Sequence, residues 1–154
     1  MSSAEIAAPR SQPANRGSRR RSREFALQAL YQWLLNGDEA DALCVQVAEN
    51  KDYARADTGY FQQLARGVIE RTAELHGALQ PFLDRTAQQL SPIEHALLLV
   101  GAYELMYAPD VPYRVAINEA VELAKAYGGT DGHKYVNGVL DKLASQTRRV
   151  DAKR

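Results

Sequence analysis

Arg19, Arg20, Arg21 and Arg23 fall within the six residues SRRRSR, Ser18 to Arg23. A guanidinium presents a planar fork of donors that matches the oxygens of a phosphate. Arg19 and Arg23 are four residues apart, and Arg20 and Arg23 are three apart. On a helix each of these pairs shares a face, which turns a basic run into a rigid charged stripe. On an unstructured tail the same residues are merely solvated, and both readings are open at this stage. The apolar helical pattern of EFALQALYQW follows without a gap. Positive charge in a first helical turn opposes the helix dipole by about 0.3–1 kcal/mol. A locally unfavourable pattern of this kind points to use.

A second cluster, His133-Lys134-Tyr135, follows the glycine-rich run GGTDG at residues 128–132. A helix starting there offers free N–H groups to an anion. Lys134 adds charge, and Tyr135 adds a ring on which a base can stack, worth about 1–3 kcal/mol per base. Val136, Val139, Leu140 and Leu143 define the apolar stripe of that helix, so Tyr135 stands at its edge and a core role competes with stacking. Two separated basic sites, one carrying an aromatic ring, favour single-stranded RNA over a duplex. A duplex reader more often carries a basic recognition helix, and no such helix is legible here.

Enzymatic chemistry finds no constellation. His76, His95 and His133 lack metal-ligand spacing, and Glu94-His95 lacks the second histidine of a zinc-protease motif. Cys44, the only cysteine, excludes an internal disulfide and a multi-cysteine zinc site. It lies in an apolar helical pattern, where a buried, inert thiol is expected. The glycine-rich run lacks the preceding strand and the Lys-Ser/Thr of a phosphate-binding loop. Neither metal nor cofactor is expected.

The elements that must position these residues read as helices throughout. Leu27, Leu30, Tyr31 and Leu34 recur at helical spacing, and Asn36-Gly37 closes that helix. A short helix follows to about Glu49. A long one opens at Asp57 or Thr58, carries the stripe Phe61, Leu64, Ala65, Val68, Ile69, Thr72 and Leu75, and breaks at Pro81. Phe82-Leu83 begin a further short helix toward Leu90. Ser91-Pro92-Ile93-Glu94 combines a capping serine, a proline at the first helical position and a glutamate able to close a capping box. The helix after it, IEHALLLVGAYELMY, is apolar on nearly every face and so is expected at the centre. Pro109 and Pro112 end it. Two more helices follow, one marked by Ile117, Ala120, Val121 and Ala124 and the last by Val136 to Leu143. The expected fold is all-α with about seven helices.

The 154 residues suit one compact domain, and 45% of them are hydrophobic. No apolar run reaches the roughly 18 residues of a membrane span, and a reducing cytoplasm is the simplest compartment. The formal net charge of zero hides an asymmetry. Residues 1–23 hold six arginines against Glu5, a net of +5, and the other 13 basic and 18 acidic groups leave −5. A basic arm on an acidic body suits a polyanion at one place and a basic protein at another. Residues 1–17 are expected to be a disordered basic arm, 18–148 the helical domain and 149–154 a flexible tail.

The stretches RRRSREFALQALYQW, SPIEHALL, YEL and VPYRVAINEAVELAKAYGGTDGHKYVNGVLDKLA together resemble the NusB family of bacterial transcription antitermination factors. The likeness runs from about Ser18 to Leu143. It implies two packed three-helix bundles and no catalysis. It implies binding of the boxA segment of nascent ribosomal-operon RNA, jointly with NusE, a small-subunit ribosomal protein. The assembly on RNA polymerase includes other Nus factors. Carried over position by position, the RNA-binding residues are Arg19, Arg20, Arg21, Arg23, Lys134 and Tyr135, and the NusE-binding residues are Tyr31 and Glu94. The alternative is a helical protein-interaction module without RNA contact of its own. The same domain occurs attached to ribosomal-RNA methyltransferases, for which this chain has neither the length nor a cofactor-binding glycine motif. The run Leu97–Val100 is more apolar than in some relatives and offers a self-association face, so a homodimer stays open.

Overall fold

The computed structural model describes residues 16–127, 129 and 131–148. Most of the expected arm and the C-terminal tail, residues 1–15 and 149–154, lie outside the described residues. Seven α-helices make up the described chain: α1 (Arg16–Asn36), α2 (Ala40–Ala48), α3 (Thr58–Glu70), α4 (Thr72–Leu79), α5 (Pro92–Tyr107), α6 (Tyr113–Tyr127) and α7 (Gly132–Thr147).

Local chemistry sets several boundaries. Gly37 ends α1 in the left-handed region, φ 72°, with its N–H on the Trp33 carbonyl at 2.8 Å. Asp57 caps α3 by accepting from the Tyr60 N–H at 3.1 Å. Ser91 caps α5 by accepting from the Glu94 N–H at 3.1 Å, with Pro92 at the first position.

Two expectations need correction between these caps. The long third helix is divided at Arg71, where φ −110° and ψ 21° leave the helical region. The Thr72 hydroxyl donates back to the Val68 and Ile69 carbonyls, at 2.8 and 3.0 Å, a bond that bends helices. The expected helix from Phe82 to Leu90 is two 3-10 turns, Gln80–Phe82 and Ala87–Gln89. Phe82 and Leu83 are only half-buried and Leu90 alone is fully inside, so there is no apolar face to hold a longer helix.

α1, α2 and α3 pack on one another as one three-helix bundle, and α5, α6 and α7 as a second. α1 and α3 also pack on α5 to join the two, and α4 covers another side of α5. Glycines permit the closest approaches. A Cβ on Gly67 would lie 2.4 Å from the Tyr103 ring, and one on Gly101 would lie 2.5 Å from Leu140.

α5 is buried continuously from Ala96 to Leu105, as its all-round apolar pattern requires. Leu97, Leu98, Leu99 and Val100 are therefore interior, packed by the helices around them, and they form no self-association face. Within this interior stretch stands one charge, Glu104, 1% exposed.

Candidate nucleic-acid interface

The arginines belong to the opening turns of α1, and serines explain why the helix can start so early. The Ser18 carbonyl accepts from the Asp57 N–H at 3.1 Å. The Ser22 hydroxyl, fully buried, donates to the Asp57 carbonyl at 2.7 Å and to the Ser18 carbonyl at 3.0 Å. These bonds fasten the start of α1 to the start of α3.

Arg23 departs from the sequence expectation. It is 4% exposed, and its Nε and Nη2 donate to the two oxygens of Glu104 at 3.0 and 2.8 Å. The Tyr60 hydroxyl donates to the same carboxylate. Burial works against the Arg23 charge more than any other single influence. The hydrogen bonds and charge of Glu104 nevertheless hold its pKa above the ordinary arginine value. Burial first, and then the Glu104 charge, push the Tyr60 phenol upward. Arg23 thus neutralises a buried carboxylate and presents no open edge to a phosphate, because its position on α1 faces α5.

Arg19 and Arg20 flank that buried pair. Arg20 donates from Nε and Nη2 to Glu119 of α6 at 3.0 and 2.8 Å, and this pairing raises its pKa. Its side chain is 53% exposed, whereas that of Glu119 is 10% exposed. Glu119 also lies 3.9 Å from Nη1 of Arg23. Arg19 stacks 4.0 Å above the Tyr60 ring and lies 3.6 Å from Asp57 and 3.5 Å from Asp110. Arg21 is partly exposed and forms no ion pair among the described residues.

Lys134 and Tyr135 open a different place. With Arg85, Glu94, Gly129, Asp131 and Gly132 they line an open cleft of ≈ 580 Å³ at the start of α7. Tyr135 is partly buried and packs against the core. Its hydroxyl accepts from the Asp84 N–H at 3.3 Å. The guanidinium of Arg85 sits 4.1 Å above the ring, a cationic stacking partner absent from the sequence reading. Lys134 lies 3.6 Å from Asp131, both side chains being largely exposed. Glu94 is half-buried, and its carboxylate lies where a Cβ on Gly132 would come within 2.9 Å. Only the serine half of the expected capping box is present, the Glu94 side chain being turned toward α7.

These two basic places stand at opposite ends of α5. Glu94 marks one end, and Glu104, ten residues on, marks the other, so they are about 15 Å apart along the axis. α1 runs antiparallel to α5, which puts its arginines beside Glu104. α7 runs alongside with its start at Glu94, and at its far end Arg148 donates to the carbonyls of Leu105, Val111, Glu104 and Ala108. The Tyr127 hydroxyl of α6 donates to Glu24 of α1 at 3.0 Å. Tyr31 is 37% exposed and sits outside the apolar stripe of α1, one helical turn before the exposed Leu35. The buried apolar residues of α1 are Phe25, Ala26, Leu27, Ala29 and Leu30 instead.

Sequence reasoning missed Ser22, Tyr60, Arg85, Glu104 and Glu119. Glu104 carried a usable signal, since a lone carboxylate in an all-apolar helix demands a cationic partner. Nothing in the sequence marks Glu119, whose partner is 99 residues away. His76 and His95 also meet, Nε2 to Nε2 at 2.7 Å, beside Leu34, Leu35, Leu90 and Pro92. Burial lowers both their pKa values. Among the described residues no group of three or more His, Cys, Asp or Glu could hold a metal ion, and Cys44 is buried.

With this geometry in place, comparison with known proteins is specific. The profile of the NusB family matches residues 20–145. The transcription antitermination protein NusB of Thiobacillus denitrificans is 52% identical over 135 residues, 88% of this chain and 93% of that protein. Its counterpart in Nitrosomonas eutropha is 50% identical over 149 residues, 94% of this chain and 89% of that protein. Among solved structures, NusB of T. maritima superposes with a TM-score of 0.73 at 29% identity, covering 83% of this chain and 91% of that one. The NusB chain of a crystal structure of antitermination factors NusB and NusE in complex with double-stranded RNA gives a TM-score of 0.74 at 25% identity, covering 84% and 97%. From the buried ion pairs at the start of α1 to the cleft at the start of α7, this chain belongs to the NusB family.

Proposed function

We propose that the protein is a cytoplasmic RNA-binding antitermination factor. It binds boxA-type RNA of nascent ribosomal operons together with NusE, within a complex of RNA polymerase and other Nus factors. The role is stoichiometric binding, with no chemical step. The observation that carries the reading is the pairing of two cationic places on one rigid body: exposed Arg20 and partly exposed Arg21 at one end of α5, and Lys134, Arg85 and the Tyr135 ring at the other. The offset of about 15 Å along the α5 axis corresponds to four or five phosphates at roughly 3.4 Å each, and an extended strand covers that offset with fewer. Tyr31 with Leu35 on α1, and Glu94 at the opening of α5, supply the NusE face in this reading. NusE is a ribosomal protein and basic, which suits a body carrying the negative excess.

Single-stranded RNA is the favoured form, because the Tyr135 ring stacks only on an unpaired base. The solved NusB–NusE relative holds a duplex, so the test compares both. Labelled single-stranded boxA RNA, its scrambled version and its duplex are titrated with and without NusE over a range of salt. The expected outcome is sequence-selective binding, strengthened by NusE, with a log–log salt slope near −0.7 for each phosphate contacted. Arg20→Ala with Arg21→Ala weakens binding and flattens the slope. Indifference to sequence, strandedness and NusE would remove the reading.

A further inference from the structure

A chain of contacts runs from the interior of the protein to the surface at the start of α1. The Tyr60 hydroxyl holds Glu104, Glu104 holds Arg23, Arg23 lies 3.9 Å from Glu119, and Glu119 holds Arg20 in a two-bond fork. The final member alone is at the surface: the Arg20 side chain is 53% exposed over a Glu119 side chain that is 10% exposed. The fork uses Nε and one N–H of Nη2. A guanidinium has five N–H donors, so three remain on its outer edge, and no other described group takes them.

We infer that Glu119 is a positioning residue for RNA, holding the Arg20 guanidinium with its outer donors turned to where a phosphate arrives. This rests on the reading that the start of α1 contacts RNA, and it assigns a task to a carboxylate that is not expected to touch RNA. Ordering a long side chain at an interface weakens binding, and an arginine already ordered by a buried partner avoids that loss. The arrangement has an unusual sign. A carboxylate beside a polyanion repels it through space, so charge alone says that neutralising Glu119 tightens RNA binding. Positioning says the reverse.

The experiment measures affinity of the full chain for labelled single-stranded boxA RNA in parallel variants, with circular dichroism and thermal unfolding as the check on folding. Glu119→Gln is expected to weaken binding roughly 2- to 10-fold, the loss set by freeing one side chain. Glu122→Gln removes a neighbouring charge that reaches Arg20 only through space, and it is expected to leave binding unchanged or slightly tighter. In the Arg20→Ala background Glu119→Gln has no further effect, an outcome that a merely structural role for Glu119 does not give. Glu119→Asp keeps the charge and withdraws it by one methylene. It weakens binding if position matters and decides the question if Glu119→Gln fails to fold. Arg21→Ala separates this inference from the one beneath it. If Arg21→Ala weakens binding while folded Glu119→Gln binds as tightly as the parent or tighter, the positioning role is overturned and the RNA reading stands. If Arg20→Ala and Arg21→Ala both leave binding unchanged, the RNA reading of α1 falls and this inference with it.

Discussion

At the Glu104 end of α5, Arg20 and Arg23 of α1 are backed by carboxylates that are themselves interior, whereas at the Glu94 end Lys134 faces an Asp131 as exposed as it is. The first arrangement is assembled with the core. Arg23 and Glu104 lie between helices whose packing depends on their mutual neutralisation, and Arg20 inherits its orientation through Glu119. The second arrangement rests on surface contacts, which contribute little individually and are screened by salt. The difference teaches that one cationic place is pre-ordered and the other is adaptable. A rigid stripe suits the regularly repeating phosphates of a strand, while an open cleft with a stacked Arg85 and Tyr135 can adjust to the shape of a base.

This contrast can be broken most severely at Glu104. Glu104→Ala leaves Arg23 charged and unpaired in the interior, and is expected to destabilise the fold by about 3–5 kcal/mol, read by thermal or denaturant unfolding. Replacing both partners by apolar residues, Arg23→Met with Glu104→Leu, is expected to cost far less, since a buried pair gains little over good packing. Next is Arg148→Ala, which strips the charged hydrogen bonds from the four carbonyls around the end of α5. A loss of about 1.5–3 kcal/mol in unfolding free energy is expected.

Tyr135→Ala lies at the adaptable end and leaves the pre-ordered one intact. It is expected to weaken RNA binding by about 1–3 kcal/mol in a titration while the unfolding transition stays cooperative. Undiminished affinity in the folded variant would assign the ring to packing alone. The smallest effect is that of pH on the His76–His95 pair. Both folded pKa values lie below the ordinary 6.5, burial being the main cause. The unfolded chain therefore takes up protons first as pH falls. Stability is full above about pH 6.5, declines as pH falls through that value toward the folded pKa values, and is restored by raising the pH. His76→Gln is expected to flatten the dependence of melting temperature on pH below 6.5 without altering RNA affinity at pH 7.5.

Much of the architecture was legible because helices obey local rules. Ser91-Pro92 announced α5, Asn36-Gly37 closed α1, and the all-round apolar pattern of IEHALLLVGAYELMY required a central position, which α5 occupies. The stripe Val136, Val139, Leu140 and Leu143 is the buried face of α7. Errors occurred where a single side chain overruled the period. Thr72 bonded back to the preceding turn and divided the third helix, and the segment after Pro81 lacked an apolar face.

What the chain determines by itself is the set of helices, their inward faces and the placing of its arginines at a helix start, because each depends on residues a few positions apart. Which arginine meets solvent and which meets a carboxylate was decided only by the tertiary structure. Arg20 and Arg23 are three residues apart and alike in chemistry. One is half out in water over Glu119 and the other is closed in against Glu104. The reason is that a guanidinium's role depends on the charges and solvent around it, and those are supplied by helices 81 and 99 residues further along the chain.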